Sequence, residues 1–454
     1  MVNPRIYIVL LALPALLSWT LDAAADADAW PSFRGPGGSG VAPGDHVAPA
    51  QWNVDSGKNI LWKTRIEGLG HSCPVVWGDR VFITSALRQR GDSALKTGLY
   101  GDIGSVDEDD DHQWVLYCLD FKSGEMRWQT TVHTGVPVIR RHPKSSQANS
   151  TPATDGRRVV CFYGSEALLC HDIDGTLLWK RDFGPLDSGY FAVPSAQWGF
   201  GSSPVIYEDL VIVQCDLQKN GFLAALRLED GGTVWSVPRQ DVPTWSTPAV
   251  DDRHGRGHEQ IIVNGHRHMG GYDLRTGRPL WKMASTGDIP VPTPVIAHGI
   301  AFLTNAHGGL PPIHAVSLAP RYEPAKEGAE PPAPTMAWSH ARGGTYMVTP
   351  IVVGEHLYLC SNGGIFSGYE AKTGRKLFRE RLPAGGGYTA SLVSADGKVY
   401  ATSEGGEVVV LEAGDRFNVI TTSDLGEATL ATPAISRGVL LFRTRNHLVA
   451  VGSM

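Results

Sequence analysis

The chain has 454 residues, with 40 Lys and Arg against 46 Asp and Glu, a formal net charge of -6 and 19% charged side chains. That balance gives neither the basic footprint of a nucleic-acid binder nor the charge density of a disordered polyelectrolyte. Six cysteines in so long a chain are too sparse for a disulfide scaffold, so burial of a core has to carry stability.

In chain order, the first element is an export leader. Arg5 precedes an apolar run from Ile6 to Leu17, and Ala27-Asp28-Ala29 offers a small-x-small cleavage site before Trp30. Residues 1–29 are therefore expected to be a signal peptide. The run is short for a membrane span, and no later stretch approaches the roughly 20 apolar residues that a spanning helix needs. The first cysteine is Cys73, far from the cleavage site, so no lipid anchor is expected. The mature chain is expected to be periplasmic or secreted and monomeric, with residues 30–58 as an extended segment and 59–454 as one domain.

Beyond that segment one phrase recurs: Ser or Thr, Pro, a short apolar pair, a polar turn and a β-rich run. The first copies are HSCPVVWGDRVFITS, NSTPATDGRRVVCFY and GSSPVIYEDLVIVQC. Its anchors are Pro74, Pro152, Pro204, Pro248, Pro294, Pro350, Leu392 in place of proline, and Pro433. After a first interval of 78 residues, lengthened by an insertion at 86–113, the spacing is 41 to 56, close to the ~40–50 residues of a four-stranded propeller blade. The Ser or Thr that precedes the proline in most copies reads as a cap for local backbone.

A second phrase closes most copies: LDFKSGEMRW to Trp128, HDIDGTLLW to Trp179, LEDGGTVW to Trp235, YDLRTGRPLW to Trp281 and YEAKTGRKLF to Phe378. Each reads strand, tight turn, strand, with Asp or Glu and Gly as turn formers and a closing aromatic to pack between sheets. The last copy has no such closing strand. NILWKTRIEG, with Trp62, stands before the first copy and has that character. The expected fold is all-β: an eight-bladed β-propeller of four-stranded antiparallel blades, its ring closed by the N-terminal strand pairing into the last blade.

Asp120, Ser123, Gly124 and Trp128, and again Asp273, Thr276, Gly277 and Trp281, carry a resemblance to the pyrroloquinoline-quinone (PQQ) repeat family. The resemblance implies the propeller and two functional branches. One holds PQQ with calcium and oxidises alcohols, using an adjacent-cysteine disulfide. This chain has no Cys-Cys pair and no C-x-x-C-H haem site. The other branch resembles the non-catalytic scaffold of the outer-membrane β-barrel assembly machine, whose lipid-anchor cysteine is missing here. The leading expectation is thus a scaffold or binding protein that needs no cofactor and engages a protein, peptide or small ligand. A PQQ-and-calcium oxidoreductase is the alternative.

In a four-stranded meander of strands A to D, the A–B and C–D turns share one face, and the B–C and D–A connections share the other. The second face, the mouth, gathers the chemistry-bearing residues. From D–A connections come His71, Arg140, His142, Lys144, Asn149, Gln197, Trp198, Trp245, Tyr346 and Tyr388; from B–C loops come His266, His268, Asn305 and His307. A concave site with convergent polar groups is the default binding site. Asp107 to Asp111 with His112, together with His142, His266, His268 and His307, would offer N and O ligands for a divalent ion. Their spacing matches no known site, and a solvated acidic loop is the simpler expectation. Arg140 to Lys144 would bind an anion or form ordinary surface charge. Trp198 and Trp245 would stack on a planar ligand or pack between blades. Ser72, Ser150 and Ser202 lie in no nucleophile elbow. Cys161 and Cys170 could face each other on a hairpin, although buried thiols are the plainer reading.

Overall fold

The computed structural model describes residues 27–99, 103–326 and 328–453. The leader reading falls almost wholly outside them. Among the described residues thirty-two strands form eight four-stranded sheets. Blade 1 holds strands A to D at Val75–Trp77, Arg80–Arg88, His112–Asp120 and Met126–Gly135. Seven blades run in simple sequence order. In blade 8, Ala434–Ser436, Val439–Arg443 and His447–Val451 are completed by Ile60–Arg65, with Trp62 opposite Ala450. The innermost strand of blade 1 touches those of blades 2 and 8, so the ring closes as the repeats imply.

Two repeated contacts explain why each copy keeps its phrase. The residue before each anchor forms an interblade belt: its backbone N–H donates to the side-chain oxygen of its counterpart in the next blade. The series runs Cys73 to Thr151 (3.0 Å), Thr151 to Ser203 (3.0 Å), Ser203 to Thr247 (3.0 Å), Thr247 to Thr293 (3.3 Å), Thr293 to Thr349 (3.1 Å), Thr349 to Ser391 (3.2 Å) and Ser391 to Thr432 (2.9 Å). The Thr432 N–H in turn faces the Cys73 thiol. All eight residues are buried, where an unpaired N–H would be costly. The hydroxyl therefore serves the neighbouring blade, not its own turn.

The closing tryptophan makes the second contact. The indoles of Trp62, Trp179, Trp235 and Trp338 lie over Gly124, Gly231, Gly277 and Gly374 of the following blade's C–D turn, and donate to the backbone oxygens of Phe121, Leu228, Leu274 and Ala371 at 2.8–3.0 Å. Blade 5 has no such turn, its C–D connection being the long stretch after Ser317, and Trp281 bonds Gln260 of its own blade instead (3.0 Å). Apolar faces of adjacent sheets fill the spaces between blades. Cys161 and Cys170 point into two different interblade cores, because they pair with Leu169 and Val160 and so face opposite sides of the sheet. Both are free thiols.

Residues before the first strand cross the floor of the ring, the face of the A–B turns. Trp30 and Val76 exchange two backbone bonds of 2.9 Å, Pro31 accepts from Thr154 (2.8 Å), and Val41 bridges Ser394 across the ring. Between them Arg34 is fully buried, and its five N–H donors reach the carbonyls of Gly38, Ser39, Thr349, Pro350 and Leu392. Burial lowers its pKa to about 9.

Candidate functional site

The mouth is not an open bowl, because two long connections fold over it. The insertion between Arg88 and His112 reaches blade 7, where the Gly98 N–H meets the Glu404 carboxylate (2.7 Å), and meets the blade 2–3 connection, where Ser105 exchanges bonds with the Gln197 backbone. The Trp198 indole donates to Ile103 (3.0 Å).

The acidic and basic runs that looked like separate features meet here and neutralise each other. Arg141 grips Glu108 in a fork (3.0 and 2.6 Å), both side chains being buried, and also donates to Ala94 and Ser145. Burial disfavours the Glu108 charge, but the His112 ring 3.7 Å away and the Arg141 fork outweigh it and hold the carboxyl at about 2. Arg140 meets Asp107 and Asp109, and Arg88 meets Asp110 (2.7 Å). Lys144 spans the mouth to Glu404 (2.5 Å). The acidic run is thus divided: Asp107, Asp109 and Asp111 stay exposed to water, as a solvated loop would have them, while Glu108 is buried against Arg141; among the described residues no group of three or more His, Cys, Asp or Glu is placed to hold an ion.

The aromatic candidates do come together. Trp198 lies against His142 (ring centroids 5.2 Å), Trp245 (5.7 Å) and Tyr190 (5.5 Å, planes within 2°). Tyr190 continues to His307 (6.3 Å), and His307 to Tyr346 (4.9 Å). His266 packs on Phe191 (4.7 Å) and bonds the Gly287 carbonyl through Nδ1. Among these rings Asp288 accepts from the Tyr190 hydroxyl (3.0 Å) and pairs with His307 Nδ1 (2.5 Å). Tyr190, Phe191 and Asp288 are absent from the sequence reading. The aromatic run Tyr190-Phe191 in an extended 2–3 connection was the available signal.

Other candidates are structural. Tyr388 is in the core between blades 6 and 7, its hydroxyl on Ala384. Asn305 is fully buried and donates to Gly287. His268 sits in a buried network in which Arg239 is shared by Asp216, Asp241 and Tyr272; burial and Arg239 press its pKa to about 4. His71 is kept neutral, at about 3, by burial and by Arg141 and Arg443. Asn149 ties Ser146 to the Phe200 carbonyl, and Gln197 holds the Arg140 N–H. Ser150 and Ser202 are buried, with Ser150 bonded to the Ser202 carbonyl. A polar atom of each of Tyr388, Asn305, Asn149 and His268 is bonded to a neighbouring protein group.

The family model described as outer membrane protein assembly factor BamB matches residues 59–319, over half of the chain. The chain belongs to the BamB family. Similar solved structures include BamB from Moraxella catarrhalis, at 15% identity and a TM-score of 0.52, covering 81% of this chain and 98% of that one. A europium-containing methanol dehydrogenase aligns at 12% identity and 0.61, covering 95% and 91%. The quinohemoprotein alcohol dehydrogenase of Comamonas testosteroni aligns at 11% and 0.60, covering 96% and 82%. At such identities the likeness is one of fold. Among curated protein sequences none matches.

The dehydrogenase neighbours raise the question whether this BamB-family mouth suits a quinone and its metal. A planar acidic cofactor needs a slot between rings, free cations for its carboxylates, and a ligand set for the ion. Here Trp198 already stacks on Tyr190, Arg141 and Lys144 are committed to Glu108 and Glu404, and the described residues supply no ligand cluster. The residues present do not fit that group.

Proposed function

We propose that the chain is an extracytoplasmic, non-enzymatic binding or scaffold protein that engages a protein or peptide through its mouth face. One observation carries the reading. The charges of the insertion and of the Arg140–Lys144 run, and the rings around Trp198, are spent on one another, yet Leu99, Ile103, Val136, Val138 and Leu310 stand exposed on the mouth's loops. Exposed apolar groups beside half-buried aromatics suit a broad macromolecular contact better than a small-molecule chamber. The family's description as an outer-membrane assembly factor, the exported-leader reading and the absence of any spanning helix among the described residues agree with it.

The test is capture from a cell-envelope extract. Val136→Asp, Val138→Asp and Leu310→Asp together should reduce retention of a specific envelope protein at least tenfold, with little change in Tm, since these side chains are exposed. Equal capture by the triple variant would remove the mouth from the account. Stoichiometric PQQ binding with calcium and dye-linked alcohol oxidation would replace the scaffold reading with the oxidoreductase one.

A further inference from the structure

Four arginines are buried among the described residues: Arg34, Arg141, Arg239 and Arg443. A guanidinium out of water needs its five donors met or a counter-charge beside it. Arg34 satisfies all five with carbonyls, and Arg141 and Arg239 have carboxylates. Arg443 differs. It is 1% exposed and bonds the carbonyls of Thr444, His447 and Gly68; among the described residues it forms no ion pair and its Nε–H has no partner. The nearby carboxylate, Glu427, is held by Lys63 (3.2 Å), His447 (2.5 Å) and Thr444 (2.7 Å).

Beside it, where blade 8 meets blade 1 at the mouth face, lies a cleft of about 200 Å³. Arg65, Arg88, Arg445 and Asn446 line it, with Ser93 of the insertion. Arg88 is paired with Asp110. Among the described residues Arg65 forms no ion pair, and Arg445 meets the carbonyls of Gly68 (3.4 Å) and Ser93 (2.9 Å) but no carboxylate. Glu67 and Asp92 also line the cleft, both exposed, and neither comes within ion-pair distance of these arginines. Arg443 and Arg445 converge on one carbonyl, that of Gly68, so two like charges meet at the cleft floor without an anion between them.

We propose that this cleft is an oxyanion site, taking a phosphate group or a small carboxylate ligand against Arg65 and Arg445, with the Asn446 amide as a further donor and the Arg443 charge behind. Guanidinium forks match planar pairs of oxygens on either group. On the scale where about 10–15 Å³ holds one water, the cleft has room for such a head group and for the adjoining part of a larger ligand that carries it. The proposal does not depend on the scaffold reading, because the cleft is built from other residues than the apolar ones above.

Calorimetric titration of the full chain with inorganic phosphate, and separately with malonate, at ionic strength held constant by sodium chloride, tests it. Saturable one-to-one binding of at least one probe is expected; phosphate alone points to a phosphoryl ligand and malonate alone to a dicarboxylate. Arg65→Gln with Arg445→Gln should weaken binding at least tenfold. Arg416→Gln, at an arginine 90% exposed elsewhere, should leave it unchanged. Should the double variant fail to fold, Arg445→Lys keeps the charge without the fork and should lose affinity several-fold. No saturable binding of either probe, or equal affinity in the folded variants, overturns the proposal.

Discussion

Glu166 shows how one buried side chain sets a pH dependence for the whole ring. It lies beside a space of only about 10 Å³, room for a single water, lined also by Tyr163, Asn149 and Phe200. Burial pushes its pKa up to about 7, opposed by the Val138 N–H that donates to it at 3.1 Å. The folded state thus holds a proton that the unfolded chain releases near the ordinary value of 4.5. Stability from this group is complete below pH 4.5 and is lost as pH rises through 7, by up to about 3 kcal/mol. His71 and His268, buried neutral, act in the opposite sense below about pH 6.5. The difference between wild type and Glu166→Gln isolates the first effect: urea midpoints should coincide near pH 5, and the variant should be the more stable at pH 8. Parallel curves across that range would mean the carboxyl is already ionised. Nothing in the sequence around Glu166 announces this, since burial of a lone carboxyl depends on the neighbouring blade. The Asp107–Asp111 and Arg140–Lys144 runs were visible, but not their mutual neutralisation, because pairing across an insertion has no local signature.

At the level of the element, the closing tryptophan and the turn glycine act as a pair. Gly277 has φ +70°, and a Cβ there would lie 2.4 Å from a Trp235 ring carbon. Gly397 has a similar φ, +67°, with nothing within 4 Å. Alanine at Gly397 should cost only the left-handed backbone penalty, about 1 kcal/mol. Alanine at Gly277 adds a collision that the buried indole cannot avoid without giving up its bond to Leu274, and the loss should exceed 2 kcal/mol. Denaturant midpoints of the two variants read the difference directly; equal losses would show that turn conformation alone explains the glycine. The repeat was legible because both partners recur at fixed spacing. Which blade the indole serves was not, since stacking runs between copies and the sequence lists them one after another. Trp281 illustrates the limit. It has the full phrase, yet the following blade offers no matching glycine, and the ring turns into its own sheet.

For the molecule as a whole, closure has two parts, and only one was foreseeable. The strand around Trp62 supplies a piece that the last copy lacks, so counting strands was enough to place it. The floor crossing from Trp30 to Val41 belongs to no repeat and contacts residues more than 300 positions away, as in the Arg34 bonds to Thr349, Pro350 and Leu392. Replacing a buried ion pair by apolar side chains is often harmless, because desolvation offsets the attraction. Arg34 has no carboxylate partner, so that compensation does not apply. Arg34→Met would leave buried carbonyls of blades 6 and 7 without donors, at about 1–3 kcal/mol each, and would untie the segment that joins opposite sides of the ring. The expected result is a loss of at least 3 kcal/mol in chemical denaturation. Faster hydrogen exchange should accompany it at Ser394 and Ala42, whose amides hold the crossing to blade 7. A Met variant as stable as wild type, with those amides still protected, would show that the crossing rests on Trp30 and the backbone bridges, and that the buried charge contributes nothing to closure.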